Sequence, residues 1–190
     1  MFLNLFKQKF LAGWILILAM FIALNGQDQL KWNKIETFNL KSGKSGESFQ
    51  CFAVPPDSYG SVNKEKRYPV FYMLYNRKSV LKYTVQVISY LASTKLIPPM
   101  IVVAVKPNDG RRDLTPTPSR AYGPTSGGAA DFLAFVKKDL IPEIDRRYRT
   151  QSLRLYGSHS IGGTLGLYTL LTEPDLFSAV LISSPWMTYD

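Results

Sequence analysis

The stretch Arg154-Leu-Tyr-Gly-Ser-His-Ser-Ile-Gly-Gly163 joins a short run of strand character, residues 153–156, to a helical pattern that begins at Ile161. A serine at such a bend is pushed out of the sheet edge, often at strained φ/ψ, with a helix N-terminus behind it. That setting suits a nucleophile. Ser158-His-Ser-Ile-Gly162 has the spacing of G-x-S-x-G, with serine in place of the first glycine. The flanking positions must be small because strand and helix backbones pass close together there, and Ser158, Gly162, Gly163 and Gly166 meet that need. The chemistry expected of Ser160 is attack by its hydroxyl oxygen on a carbonyl carbon, which requires a base to take the proton.

The chain holds one histidine, His159, directly before the serine. On a sharp bend the neighbouring side chain points away, so His159 is not expected to be that base. One cysteine, Cys51, excludes an internal disulfide and, with a single histidine, a cysteine metal cluster; no metal or cofactor is expected. Gly43-Lys44-Ser45 has the ending of a phosphate-binding loop, but Phe38 occupies the position of the required earlier glycine, so no nucleotide is expected.

The elements that must position Ser160 come from one domain. With 190 residues, 46% of them hydrophobic and 13% aromatic, the chain is long enough to bury a core. Residues 1–26 read separately: Lys7 and Lys9, an apolar run over residues 10–24, then Asn25, Gly26 and Gln27. This is the order of an export signal cleaved near Gly26, which implies a secreted or periplasmic protein, with an uncleaved anchor as the alternative. The run is shorter than the roughly 20 residues of a membrane span. The net charge of +9 is spread without a basic, aromatic-lined face, which argues against nucleic acid as a partner.

Within residues 27–190, alternating segments 36–40 and 47–54 predict an antiparallel hairpin, and 68–75 reads as a central strand buried on both faces. A helix is expected over 80–96, a second buried strand over 100–105, and a helix over 129–148 interrupted at Pro142. A strand over 153–156, a helix over 161–171 and a strand over 179–182 complete the alternation. It predicts an α/β fold with right-handed crossovers and ligands at the carboxyl ends of the strands. Residues 106–128 form a long connection that either lines the pocket beside Ser160 or is solvated surface.

Several motifs in collinear order carry a resemblance: Tyr68-Pro-Val-Phe-Tyr-Met-Leu74, Arg112-Asp-Leu-Thr-Pro-Thr117, Ser126-Gly-Gly128, Leu140-Ile-Pro-Glu-Ile-Asp145, the serine bend, and Pro174-Asp-Leu-Phe177 through Ser183-Ser-Pro185. Over roughly residues 36–190 the chain resembles the esterase D and siderophore-esterase-like branch of the α/β-hydrolases. The resemblance implies a three-layer sandwich whose mostly parallel sheet carries an antiparallel N-terminal hairpin. It makes Ser160 the nucleophile of a serine esterase, with an oxyanion hole from the backbone N–H groups of Ile161 and Arg77, and implies a small ester substrate, siderophore-like among others. Tyr75-Asn76 stands where the family has a residue pair ending in glycine, and Asn76 keeps access to φ > 0 for the turn. In the family the triad acid and histidine follow the nucleophile on later strands. The chain therefore reads as lacking its C-terminal strands and both triad partners, inactive by itself, with residues 179–182 left as an open edge. A non-catalytic binding protein on the same fold, and a small membrane-anchored interaction protein, are the alternatives from other classes.

Overall fold

The computed structural model describes residues 35–60, 63–120 and 123–187. The expected export signal over 1–26 lies outside them. Among the described residues no helix is long and apolar enough to cross a membrane.

Six strands form one sheet in the order β1-β2-β4-β3-β5-β6. They are β1 (Glu36–Lys41), β2 (Ser48–Val54), β3 (Tyr68–Leu74), β4 (Ile101–Lys106), β5 (Thr150–His159) and β6 (Ala179–Ser183). The pairs β1–β2 and β2–β4 are antiparallel, while β4–β3, β3–β5 and β5–β6 are parallel. This is the predicted fold class. Among the described residues β6 pairs with β5 alone, and its Leu181 is 53% exposed.

Proline in a central strand removes a ladder donor and is tolerated at a bulge. Pro69 sits in β3, and the β3–β5 register shifts between Tyr68 and Val70, so the missing N–H falls where the ladder is already interrupted.

The helices are α1 (Lys78–Ser93), α2 (Ala129–Phe135), α3 (Ile141–Arg147) and α4 (Ile161–Thr172). The β3-to-β4 connection runs one way along the sheet, and the β4-to-β5 and β5-to-β6 connections run the other. Right-handed crossovers then place α1 on one face and α2, α3 and α4 on the opposite face. The main core cluster accordingly draws on Phe132, Phe135, Ile144 and Leu165 against Tyr68, Val70 and Tyr72 of β3, without the buried Leu81, Val85 and Ile88 of α1.

The interruption expected at Pro142 takes a different form. Residues Val136–Leu140 widen into a π-helical turn, with the Ile141 N–H donating to the Val136 carbonyl, and the chain continues helically into α3. The wide turn absorbs the proline without ending the helix, because a π-turn already breaks the i→i−4 ladder that proline cannot complete. The expected strand over 153–156 is also longer, running from Thr150 to His159.

The described residues of the long connection, 107–120 and 123–128, are held in place by side-chain bonds. The Asp109 side chain caps the helical turn Gly110–Asp113 by accepting the N–H groups of Arg111 and Arg112. Arg112 binds both carboxylate oxygens of Glu47 at 2.8 and 2.7 Å and, through Nε, Asp113 at 2.7 Å. The buried Asp113 also accepts the N–H groups of Asn108 and Asp109 at 2.8 and 3.1 Å. This network ties the connection to the start of β2. At its far end the Gly128 N–H donates to the Arg112 carbonyl, and Thr115 is fully buried.

Candidate active site

Ser160 lies between β5 and α4 with no intervening residue, at φ 57° and ψ −128°. A non-glycine residue there costs on the order of 1–3 kcal/mol and persists only when its surroundings over-determine it. The bend is also crowded. A Cβ at Gly163 would stand 2.9 Å from the backbone Pro185 Cα, so that position does not accept a side chain, and one at Gly162 would stand 2.8 Å from Leu74 Cδ1, which would have to shift. Of the small residues noted in the sequence, Gly163 is thus required by contact.

Ser160 opens into a cleft of about 900 Å³ at the carboxyl ends of the central strands. Tyr75 and Asn76 after β3, Lys106 and Pro107 at the end of β4, and Leu114 from the long connection line it together with the serine. The volume is in the range of small-molecule sites. Of residues 106–128, Lys106, Pro107, Gly110 and Leu114 line the cleft.

The other sequence-derived site residues fall as follows. Ile161 is the first residue of α4, one of the first-turn N–H groups that lack an intrahelical acceptor. Arg77 is the N-cap of α1 in extended conformation, φ −149° and ψ 147°, one residue beyond the cleft-lining Asn76. Asn76 itself does not use its access to φ > 0 at this turn. His159 is the last residue of β5 and also lines the cleft, with Nδ1 3.4 Å from Ser183 Oγ of β6.

Ser158, in place of the first glycine, has its hydroxyl buried beneath α4. It lies near enough to the Tyr156 phenol to draw that group's pKa slightly down but forms no hydrogen bond of full geometry. Burial dominates and pushes the Tyr156 pKa well up, and its hydroxyl donates to the Gly162 carbonyl at 3.2 Å. A buried hydroxyl without a partner is a net cost. Ser158→Ala is therefore expected to raise stability by about 1 kcal/mol, read as a higher urea midpoint at unchanged slope. A fall in stability would show that the hydroxyl has a partner. Cys51 is fully buried and its thiol is pushed up to about 12 by desolvation, so it stays protonated and unreactive. Among the described residues no group of His, Cys, Asp or Glu is arranged to hold a metal ion.

Sequence reasoning missed the segment Ser183-Ser-Pro-Trp186 as part of the site. Ser160 N–H donates to the Ser183 carbonyl at 3.1 Å, and Trp186 N–H donates to the Ser160 carbonyl at 3.2 Å. Nothing in local pattern marks this pairing, because it joins residues more than twenty apart.

The comparisons with known proteins agree with this geometry. A family model described as Putative esterase matches residues 42–189. The chain belongs to that esterase family. Among the relatives of this esterase-family chain, the ferri-bacillibactin esterase BesA of Bacillus subtilis is 44% identical over 64 residues, covering 33% of the chain. The siderophore triacetylfusarinine C esterase of Aspergillus fumigatus is 40% identical over 79 residues, covering 40% of it. An IroE-like serine hydrolase from Shewanella oneidensis superposes with a TM-score of 0.69 at 27% identity over 77% of the chain. The chain spans 22% and 27% of the lengths of the two relatives and 49% of the Shewanella structure. Family membership places it among the esterases, as the resemblance implied.

Proposed function

We propose that this chain is the nucleophile-bearing part of a serine esterase that cleaves carboxylic ester bonds through an acyl-enzyme. The single observation that carries the reading is Ser160 in a strained conformation at the strand-to-helix bend, opening into the cleft. Ser160 Oγ attacks the ester carbonyl as a base takes its proton. The tetrahedral oxyanion is met by the N–H groups of Ile161 and Arg77, the alcohol leaves, and water releases the acid from the serine. The Ile161 N–H stands at the positive end of α4, where a developing negative charge is favoured.

His159 is the sole histidine of the 190 residues, and it contacts Ser183 rather than Ser160. The proposal therefore draws the catalytic histidine and its orienting carboxylate from sequence beyond these residues, and the 190-residue chain alone is proposed to be inactive. The names of the relatives support a siderophore-like ester as substrate. Lys7, Lys9 and the apolar run after them support export of the protein through an N-terminal signal.

The test is labelling of the full-length gene product by a fluorophosphonate probe, with the modified residue located by mass spectrometry. Modification at Ser160 is expected. Absence of labelling, together with absence of p-nitrophenyl ester hydrolysis, would favour a non-catalytic binding protein on the same fold.

A further inference from the structure

Two threonines of α4 behave as threonines in helices usually do. Thr169 Oγ1 donates to the Leu165 carbonyl and Thr172 Oγ1 to the Tyr168 carbonyl, each four residues back at 2.8 Å. Thr164 does not. The carbonyl four residues before it belongs to Ser160, and it already accepts the N–H groups of Gly163 at 2.8 Å, Thr164 at 3.3 Å and Trp186 at 3.2 Å. Thr164 is 5% exposed, and its hydroxyl instead leaves the helix to donate to the Trp186 carbonyl at 2.6 Å.

Residues Ser183 to Trp186 thus form a strap across the first turn of α4. It lies close enough that a Cβ on Gly163 would meet Pro185 Cα. The strap turns through Ser184 at φ 44°, so it is itself held in an unfavourable conformation. Its two backbone bonds, Ser160 N–H to the Ser183 carbonyl and Trp186 N–H to the Ser160 carbonyl, fix the serine backbone from outside its own helix. Trp186 is gripped at both backbone groups: its N–H by Ser160 and its carbonyl by Thr164.

We infer that Thr164 is a positioning residue for Ser160, acting through the strap, an inference that rests on the reading of Ser160 as nucleophile. Without the Thr164 hydroxyl the Trp186 carbonyl loses its anchor on α4. The Trp186 N–H then holds the Ser160 carbonyl less firmly, and the strained bend gains freedom to relax. Ser160 Oγ drifts relative to the oxyanion donors. Displacements of about 1 Å at a reacting atom cost on the order of 100-fold in rate.

The experiment uses the full-length gene product with Thr164→Val, which keeps the shape and removes the hydroxyl, and Thr164→Ser, which restores it. With p-nitrophenyl butyrate, kcat per fluorophosphonate-titrated site is expected to fall about 10- to 100-fold in Thr164→Val, with KM within about twofold, and to recover in Thr164→Ser. Exchange of the Trp186 amide hydrogen is expected to speed up about tenfold in Thr164→Val while amides in β3 stay protected. A merely structural role would lower the melting temperature without the kcat-against-KM split or the serine rescue. Wild-type kcat in Thr164→Val alongside an inactive Ser160→Ala would overturn this inference and leave the esterase reading standing. Hydrolysis retained in Ser160→Ala would sink the nucleophile reading and the inference with it; Trp186 exchange then reports only whether the strap depends on Thr164. Should Thr164→Val fail to fold, Thr164→Ala is measured in the same way.

Discussion

Ser160→Ala in the full-length gene product removes ester hydrolysis, with kcat falling by about 10⁴–10⁶. The size of the loss follows from what is left. In the proposed mechanism the cleft, the Ile161 and Arg77 N–H groups and the end of α4 would still bind and polarise an ester, but no acyl-enzyme forms and water must attack directly. The fold should be unaffected, because alanine keeps the Cβ and the backbone bonds to Ser183 and Trp186 involve only main-chain atoms. Steady-state hydrolysis of p-nitrophenyl esters checks the rate, and unchanged thermal unfolding checks the fold. The 190-residue chain should turn over about as poorly as this variant, since among its described residues the histidine faces Ser183. Hydrolysis within tenfold of wild type after Ser160→Ala would place the nucleophile elsewhere.

Phe135→Ala should destabilise the domain by about 3–5 kcal/mol, a large share of the roughly 5–15 kcal/mol available to a typical domain. Phe135 has no exposed surface, stacks on Phe49 of β2 at 4.4 Å between ring centroids, and lies 6.2 Å from Phe132. It ends α2 immediately before the π-turn, and with Phe132, 5.5 Å from Phe49, its ring docks this bent helix on the sheet. Alanine leaves a cavity that a stacked aromatic cluster on a rigid sheet closes poorly. Urea unfolding measures the effect. A change below about 1 kcal/mol would mean that α2 does not rest on β2 as the structure has it.

The two predictions differ in how far the sequence alone supported them. Ser160 was legible, because a strand-to-helix bend with small flanking residues is written in about ten consecutive positions. The importance of Phe135 was not, since a helical pattern shows an apolar face without showing which strand it meets.

The same division runs through the rest of the molecule. Strands β3 and β4 were plain as apolar runs because a parallel sheet covered on both faces has no polar side to display. The alternation of strand and helix determined the fold class through the handedness of crossovers, a steric property of L-residues. Pro142 marked an irregularity, but whether a helix breaks or widens there depends on the packing of α2 and α3 against the sheet, which holds the chain helical through a π-turn. The access of Asn76 to φ > 0 goes unused, and the pairing of Tyr75 N–H with the Val105 carbonyl at 2.7 Å leads the chain out of β3 without it.

What the sequence by itself determined was therefore whatever local sterics and apolar periodicity decide: the elements, their parallel arrangement and the bend that carries Ser160. Only the tertiary structure decided what meets across distance. It set Arg112 on Glu47, the buried Ser158 hydroxyl beneath α4, His159 against Ser183, and the strap of residues 183–186 that holds Ser160 through Thr164. Each of these joins segments whose separation is fixed by sheet register and side-chain packing, and neither leaves a periodic trace in the chain.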